Sequence, residues 1–515
     1  MSPHEPGETR SRRHTPLSLR LARAIDDRVG AASFTSKALG KVFPDHFSFL
    51  FGEIILYSFL VLVLTGIYLT LFFDPSSHQV VYHGSYIPMR GRQVSAAYSS
   101  VLHLSFDVRA GLLFRQVHHW AALVFLAAIV AHLARIFFTG AFRKPRDVNW
   151  YIGSTLLLLA MVNGFAGYSL LDDLLSGTGL RIAFSLMESI PIVGPQIAFF
   201  GFGGNFPGPN IIGRLFIVHV LIVPLAILGL LGLHLGLVWH QKHTQFRGPG
   251  RTEDNVVGTR LWPAYAMRSI AFFFAVAAVL VALGGLVQIN PVWLYGPYSP
   301  TAVTTAAQPD WYMGWLEGAL RLMPPGDLHV FGRTVANVFF PGALLPGVSF
   351  VLLYLWPTIE RRITGDREAH NLLDRPRDRP WRTAVGAGVF TFYTVLFVAG
   401  SDDVLAARTG LSVNAMVDVL RGALLIVPVV VALLVLKWCR DLQAGERGRA
   451  DPSDRPVEPP PTASAPAEMT SPEPVHAGGL ARLRHVLVAE GGAAAAMGVV
   501  GYVIGRALGR HRAPG

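Results

Sequence analysis

Two apolar stretches that each carry a pair of histidines constrain this chain more than anything else in it. In RQVHHWAALVFLAAIVAHLAR, Arg115 to Arg135, His118 and His132 stand 14 residues apart. In the stretch from Arg214 to His240, His219 and His234 stand 15 apart. Fourteen residues make nearly four helical turns, so both imidazoles of a helix face almost the same way, about 21 Å apart along its axis. Two such helices offer two axial pairs to two flat cofactors stacked across a membrane.

The membrane follows from composition. Of the 515 residues 51% are hydrophobic and 15% charged, where a soluble chain carries about 25% charged residues. Windows of about 20 apolar residues fall at roughly 50–73, 117–138, 150–171, 214–240, 268–288, 337–356, 383–400 and 414–438. The expected fold is all-α and polytopic, with about eight transmembrane helices, the first four forming a bundle that holds the cofactors. Arg143, Lys144 and Arg146, then Lys242, Arg247, Arg251 and Arg260, then Arg361 to Arg382 fill alternate loops, and the intervening loops are poorer in basic residues. The positive-inside rule therefore predicts a cytoplasmic N-terminus. It sets His118 and His219 near the outer face and His132 and His234 near the inner one. A lone cysteine, Cys439, excludes a disulfide framework, a four-cysteine iron–sulfur site and a C-x-x-C-H haem attachment.

Four segments are expected: a cytoplasmic N-terminal segment (1–46), a four-helix diheme domain (47–245), a second four-helix domain (246–440) and a disordered tail with a short apolar helix (441–515). No cleaved signal peptide is read in the polar, basic start. LSLRLARAIDDRV, Leu17 to Val29, reads either as a surface-lying amphipathic helix or as a solvated tail. The tail, with DPSDRPVEPPPTASAPAEMTSPEPV, has the composition of a linker, and GGAAAAMGVVGYVIG (491–505) is its apolar helix.

One histidine in an apolar helix is ordinarily a core residue bonded to a carbonyl. Four at matched spacings are not, because ionisable groups in a span are costly and usually functional. A directly bound transition metal would want carboxylate or thiolate ligands, which these helices lack. Bis-histidine b-type haem fits, since haem iron takes one axial ligand from each side. Depth pairs His118 with His219 and His132 with His234.

Glycines echo this period. Gly52 and Gly66 in the first span, and Gly153 and Gly167 in the third, are again 14 apart. Glycine inside a helix costs about 1 kcal/mol relative to alanine, so these positions call for a backbone pressed against a haem face. Ordinary close packing of helices uses small residues every four positions instead. Arg115, Arg135 and Arg214 lie outward of His118, His132 and His219, where a haem propionate would reach; arginine at a span end also simply reaches for the interface.

These histidines, with SSVLHLSFDVRAGLLFRQVHHW, GYSL (167–170), SIPIVG (189–194) and PDWY (309–312), resemble cytochrome b of the bc-type quinol:cytochrome c reductases. The resemblance covers roughly residues 35–440, and the long polar ends are similar to the actinobacterial-type subunit. It implies a quinol, the menaquinol expected of that type, oxidised at an outer site, with one electron passing to a Rieske iron–sulfur subunit and the other through the outer haem to the inner one. Quinone is then reduced near the cytoplasmic face, and a proton gradient builds. The outer site takes Pro309, Asp310, Trp311 and Tyr312, with Asp310 as the base that removes a quinol proton and Tyr312 as a hydrogen-bonding partner. Relatives more often carry Glu at 310, and Pro-Trp where this chain has Leu171-Asp172. The inner site is expected around His240, His243 and Arg268. Relatives often carry Lys-Asp where this chain has Arg268-Ser269, so proton uptake needs another group, for which His240 and Asp254 are candidates. The implied partners are the Rieske subunit, a cytochrome c subunit, a haem-copper oxidase in a supercomplex, a second copy of the chain and membrane lipid, with no nucleic acid, in a bacterial plasma membrane. Two other classes compete. A diheme membrane anchor would need neither PDWY nor four further spans, and a transporter with a histidine proton relay would purify colourless.

Overall fold

The computed structural model describes Asp26 and residues 38–206, 208–302, 308–330 and 332–449. The helix expected over Leu17 to Val29 (apart from Asp26) and the one at 491–505 lie outside the described residues. Among the described residues eight helices are long and apolar enough to cross a membrane: Phe47–Thr70, Gly111–Thr139, Asp147–Ser169, Ile211–Gln241, Leu261–Leu286, Phe340–Thr364, Pro380–Ala399 and Val413–Glu446. They are the first to eighth spans below. Several are apolar all round, with Leu64, Ile67, Phe274 and Leu425 exposed on their outer faces, as lipid-facing helices require.

The ends show why local chemistry moves boundaries from the hydropathy windows. The second span starts at Gly111, where a Cβ would fall 2.0 Å from the Leu104 carbonyl oxygen. It stops at Gly140, whose φ of +64° closes the last turn. The fifth begins at Leu261, but Trp262 is extended and regular α-helix runs from Ala266. The sixth runs beyond residue 356 through Pro357 to Thr364, carrying Arg361 and Arg362 in its last turn. The eighth span continues as helix to Arg449, past the boundary expected at 441, because KWCRDLQAGERGR contains no proline and is rich in helix formers.

The first four spans pack around Phe59, Phe125, Leu126, Ile129, Leu133, Trp150, Val223 and Ile227. The fifth span lies outside the first and second, sharing Tyr57, Val61, Val117, Ala121, Val276 and Leu280. The seventh and eighth spans pair with each other and with a short helix, Gly314–Leu322, around Ala319, Leu396, Ala399, Met416 and Leu420. Tyr312 belongs to the core of the first group, so the halves expected to part at 245 and 246 are packed together in one unit.

Short strand pairs knit the loops. At one end of the spans, Val42–Phe43 pairs antiparallel with Thr259–Arg260, and Gln245–Phe246 pairs parallel with Leu372–Leu373. The arginines of these loops also tie them together. Arg146 donates to the His370 carbonyl at 2.7 Å, to the Gln241 and Lys242 carbonyls at 3.0 Å each and to Asn371 Oδ1 at 2.7 Å. Buried Arg382 reaches Asp374 at 2.7 Å and Glu360 at 3.0 Å.

Candidate functional site

The second and fourth spans run in the same direction and bring their histidines face to face at two levels. The ring centroids of His118 and His219 are 6.1 Å apart, with planes at 78°. Those of His132 and His234 are 6.5 Å apart, at 67°. A metal–imidazole bond is about 2 Å and the ring centre lies about 1 Å behind the nitrogen, so two rings across one ion stand about 6 Å apart. Both pairs have that separation.

The unequal spacings, 14 and 15, are reconciled by local structure. Val218–Ile222 is a turn of π-helix, which takes one more residue than an α-turn. His219 lies in it. The extra residue is absorbed there, so 15 residues of the fourth span match 14 of the second.

Second partners aim the rings at one level. His118 Nδ1 bonds Thr65 Oγ1 at 2.8 Å, while that hydroxyl donates to the Val61 carbonyl at 2.7 Å. His219 Nδ1 donates to the Asn163 carbonyl at 2.9 Å. Each bond leaves Nε2 available to bind a metal ion. At the other level, His132 Nδ1 and His234 Nδ1 are buried without a hydrogen bond among the described residues.

Each of the four glycines faces an imidazole. A Cβ on Gly167 would lie 2.4 Å from His219 Cε1, and one on Gly66 3.3 Å from His118 Cε1. On Gly52 it would lie 3.7 Å from His132 Cε1, and on Gly153 3.8 Å from His234 Cε1.

The three arginines differ. Arg135 stands over the Phe49 ring at 4.2 Å, half-buried, with its buried Nε and Nη2 unpartnered among the described residues. Arg115 is buried, but both Nη atoms donate to the Asn290 carbonyl at 3.2 Å, and only Nε is unpartnered. Arg214 is exposed and donates to the Phe200 carbonyl at 2.6 Å, so the structure does not bring its charge to the His118–His219 pair. An anionic group therefore finds spare donors at Arg135 above all.

Pro309 and Asp310 lead into a 3-10 turn, Trp311–Met313, beside the His118–His219 level. Tyr312 is buried against Gly164 of the third span, where a Cβ would lie 2.7 Å from the phenol oxygen. Burial and the neighbouring Asp310 hold its pKa well above the ordinary phenol value. His119 Nε2 meets Asp310 Oδ1 at 2.9 Å and Oδ2 at 3.1 Å. Sequence reasoning missed His119, overshadowed by His118 beside it. The doubled histidine was its only signal. Asp172, at a departure from the resemblance, has φ of +51° and a pKa raised to about 6 by burial. Asp173 caps the helix Leu174–Glu188 through a capping box with Ser176.

At the opposite end His243 sits 4.6 Å from the Phe43 ring, which stacks on Tyr265 at 4.4 Å. Burial lowers the His243 pKa to about 4, so it stands neutral. His240 is exposed, and Arg268 pairs with Asp45 at 3.1 Å on the surface.

Residues 123–297 match the family described as Cytochrome b(N-terminal)/b6/petB. The chain is 52% identical over 429 residues to the cytochrome bc1 complex cytochrome b subunit of Mycobacterium tuberculosis, covering 83% of this chain and 78% of that one. It is 49% identical over 442 residues to the protein of the same description from Streptomyces coelicolor, covering 86% and 81%. A solved chain described as hyperthermophilic respiratory Complex III superposes with a TM-score of 0.59 at 19% identity, over 81% of this chain and all of that one. That likeness is one of fold.

Proposed function

Because the chain belongs to the cytochrome b subunits of bc1 complexes, multi-pass membrane proteins that carry haem, we propose that it holds two b-type haems and links two quinone sites. His118 and His219 would hold the outer haem, and His132 and His234 the inner one. The observation that carries this reading is the pair of facing imidazoles at 6.1 and 6.5 Å. Bound haem supplies reversible one-electron transfer at the two depths.

The chain's own residues do the rest. Thr65 and Asn163 hold the outer ligands in one tautomer. Arg135 offers its two spare nitrogens to a propionate of the inner haem, and Arg115 its Nε on the outer side. At the outer site Asp310 accepts a proton from quinol, which a carboxylate within hydrogen-bond reach can do, and His119 holds that carboxylate in place. Tyr312, kept protonated by burial, donates to a quinol oxygen, and Pro309 and Trp311 fix the turn. One electron leaves to a Rieske subunit and the other crosses to the inner site, where quinone is reduced beside His243. Menaquinol is the substrate, and a cytochrome c subunit, a haem-copper oxidase and a second copy of the chain complete the assembly. The N-terminus is cytoplasmic in a bacterial plasma membrane, which sets the arginine-laced loops inside.

A dithionite-reduced minus oxidised spectrum of the purified chain, with a pyridine haemochrome count, tests the reading. Two b-type haems are expected, one lost on His118→Ala and the other on His132→Ala. A colourless chain, or haem indifferent to both substitutions, overturns it.

A further inference from the structure

Among the described residues six acids lie within the eight spans, and five of them are ion-paired. Asp147 meets Arg361 at 3.5 Å, Glu360 meets Arg382 at 3.0 Å, Asp418 meets Arg421 at 3.4 Å, Asp441 meets Lys437 at 2.7 Å, and Glu446 meets Arg377. Glu53 in the first span has no cation partner. Its surroundings are hydroxyls instead. Tyr265 donates to Oε1 at 2.6 Å, while Tyr57 and Ser269 donate to Oε2 at 2.9 and 3.1 Å. Tyr57 and Ser269 also touch each other.

An acid in a span is costly unless it is paired or used. Three hydroxyl donors can stabilise a carboxylate without fixing it as one, because each can also accept when the acid is protonated. A neighbouring arginine would hold the charged form permanently. Glu53 is therefore placed to exchange a proton through these hydroxyls. Its place in the fold says where. The preceding residue, Gly52, faces His132, and so Glu53 stands at the inner level. Tyr265 stacks on Phe43, which in turn packs against His243. Arg268, next to Ser269 in the chain, opens on the surface and pairs with Asp45 and Thr259. The hydroxyl cluster thus runs from the membrane interior to the inner aqueous rim.

We propose that Glu53 is the carboxyl group that protonates quinone at the inner site. This rests on the reading given above and supplies the acid that position 269 lacks; His240 is exposed and Asp254 lies in the loop, where its carbonyl accepts from Lys242. Full reduction of the quinone takes two electrons, which the inner haem of that reading would supply one at a time, and two protons. For each proton the O–H bond of Glu53 breaks and one forms on a quinone oxygen. The carboxylate left behind keeps its three hydroxyl donors and is reprotonated from water at the inner face before giving the second.

The test uses the assembled complex, reduced with dithionite and mixed with a short-chain naphthoquinone. Reoxidation of the inner haem is followed by stopped flow. Glu53→Gln, nearly isosteric, is expected to slow it about a hundredfold with both haems retained, the usual loss for a missing general acid. Adding Ser269→Asp to Glu53→Gln returns the acid from the fifth span and restores most of the rate, which a packing role for Glu53 does not predict. Independently, the infrared difference spectrum between oxidised and reduced protein should hold a protonated-carboxyl band that shifts in deuterium oxide and vanishes in Glu53→Gln. A Glu53→Gln protein that reacts at the wild-type rate, a band that survives the substitution, or haem loss in both the single and the double variant overturns the proposal. If wild-type protein with two haems is itself not reoxidised by the naphthoquinone, the inner site is what fails.

Discussion

Gly167 lies so close to His219 that a methyl group on it would fall 2.4 Å from the ring Cε1, while Gly153 leaves His234 3.8 Å away from the same addition. The two positions are 14 residues apart in one helix and look alike in the chain. Elsewhere in a helix Gly→Ala stabilises by about 1 kcal/mol. Gly167→Ala should instead push His219 aside and remove the outer haem, whereas Gly153→Ala should keep both. A haemochrome count of the two variants separates them.

The contact between His119 and Asp310 puts the carboxylate of the outer turn on the second span. Asp310→Asn keeps the shape and removes the proton acceptor. Quinol oxidation should fall by about a hundredfold or more with an unchanged haem spectrum, in a steady-state assay of the whole complex. A variant with normal turnover would move the base elsewhere.

Asp172 supplies a pH dependence. Its pKa is about 6, raised by burial and by adjacent Asp173 against the hydroxyl of Ser95. An acid with a raised folded pKa binds its proton more tightly in the native state. The native state therefore loses stability as pH rises from the unfolded pKa near 4 to the folded one near 6, by at most about 1.4 kcal/mol per pH unit. Below about pH 4 the term vanishes. Asp172→Asn should therefore raise thermal stability at pH 7 and leave it unchanged at pH 4.

Arg382 joins the sixth span, through Glu360, to the loop carrying Asp374, and its side chain is 3% exposed. Removing one member of a buried ion pair typically costs about 3–5 kcal/mol, because the partner charge is stranded. Arg382→Leu should lower the melting temperature of the solubilised protein markedly by stranding Glu360, since Asp374 keeps Arg143 and Arg379, and adding Glu360→Gln should recover part of the loss. Additive losses would mean that the two do not act as a pair.

Much of this protein was legible in its sequence because the bilayer simplifies the code. A span must be a helix with its backbone satisfied internally, so eight apolar windows translate into eight helices. A 14-residue period maps directly onto depth, and the histidines and glycines it relates stand side by side in two groups. What the period could not say was which atoms the glycines face, because that depends on rotation of one helix against another. Nor could it explain 14 against 15, which a π-turn at His219 resolves.

Distant approach was decided by the tertiary structure alone. Asp310 lies 191 residues from His119, and Glu53 lies 216 from Ser269. The sequence determined the spans, their histidines and the depth of each, because these are properties of single helices. Packing decided that Arg214 turns to a loop carbonyl, that Arg135 keeps spare donors and that Glu53 finds hydroxyls rather than a cation. Those outcomes depend on which helix faces touch, and lipid-facing and protein-facing positions are equally apolar in the chain.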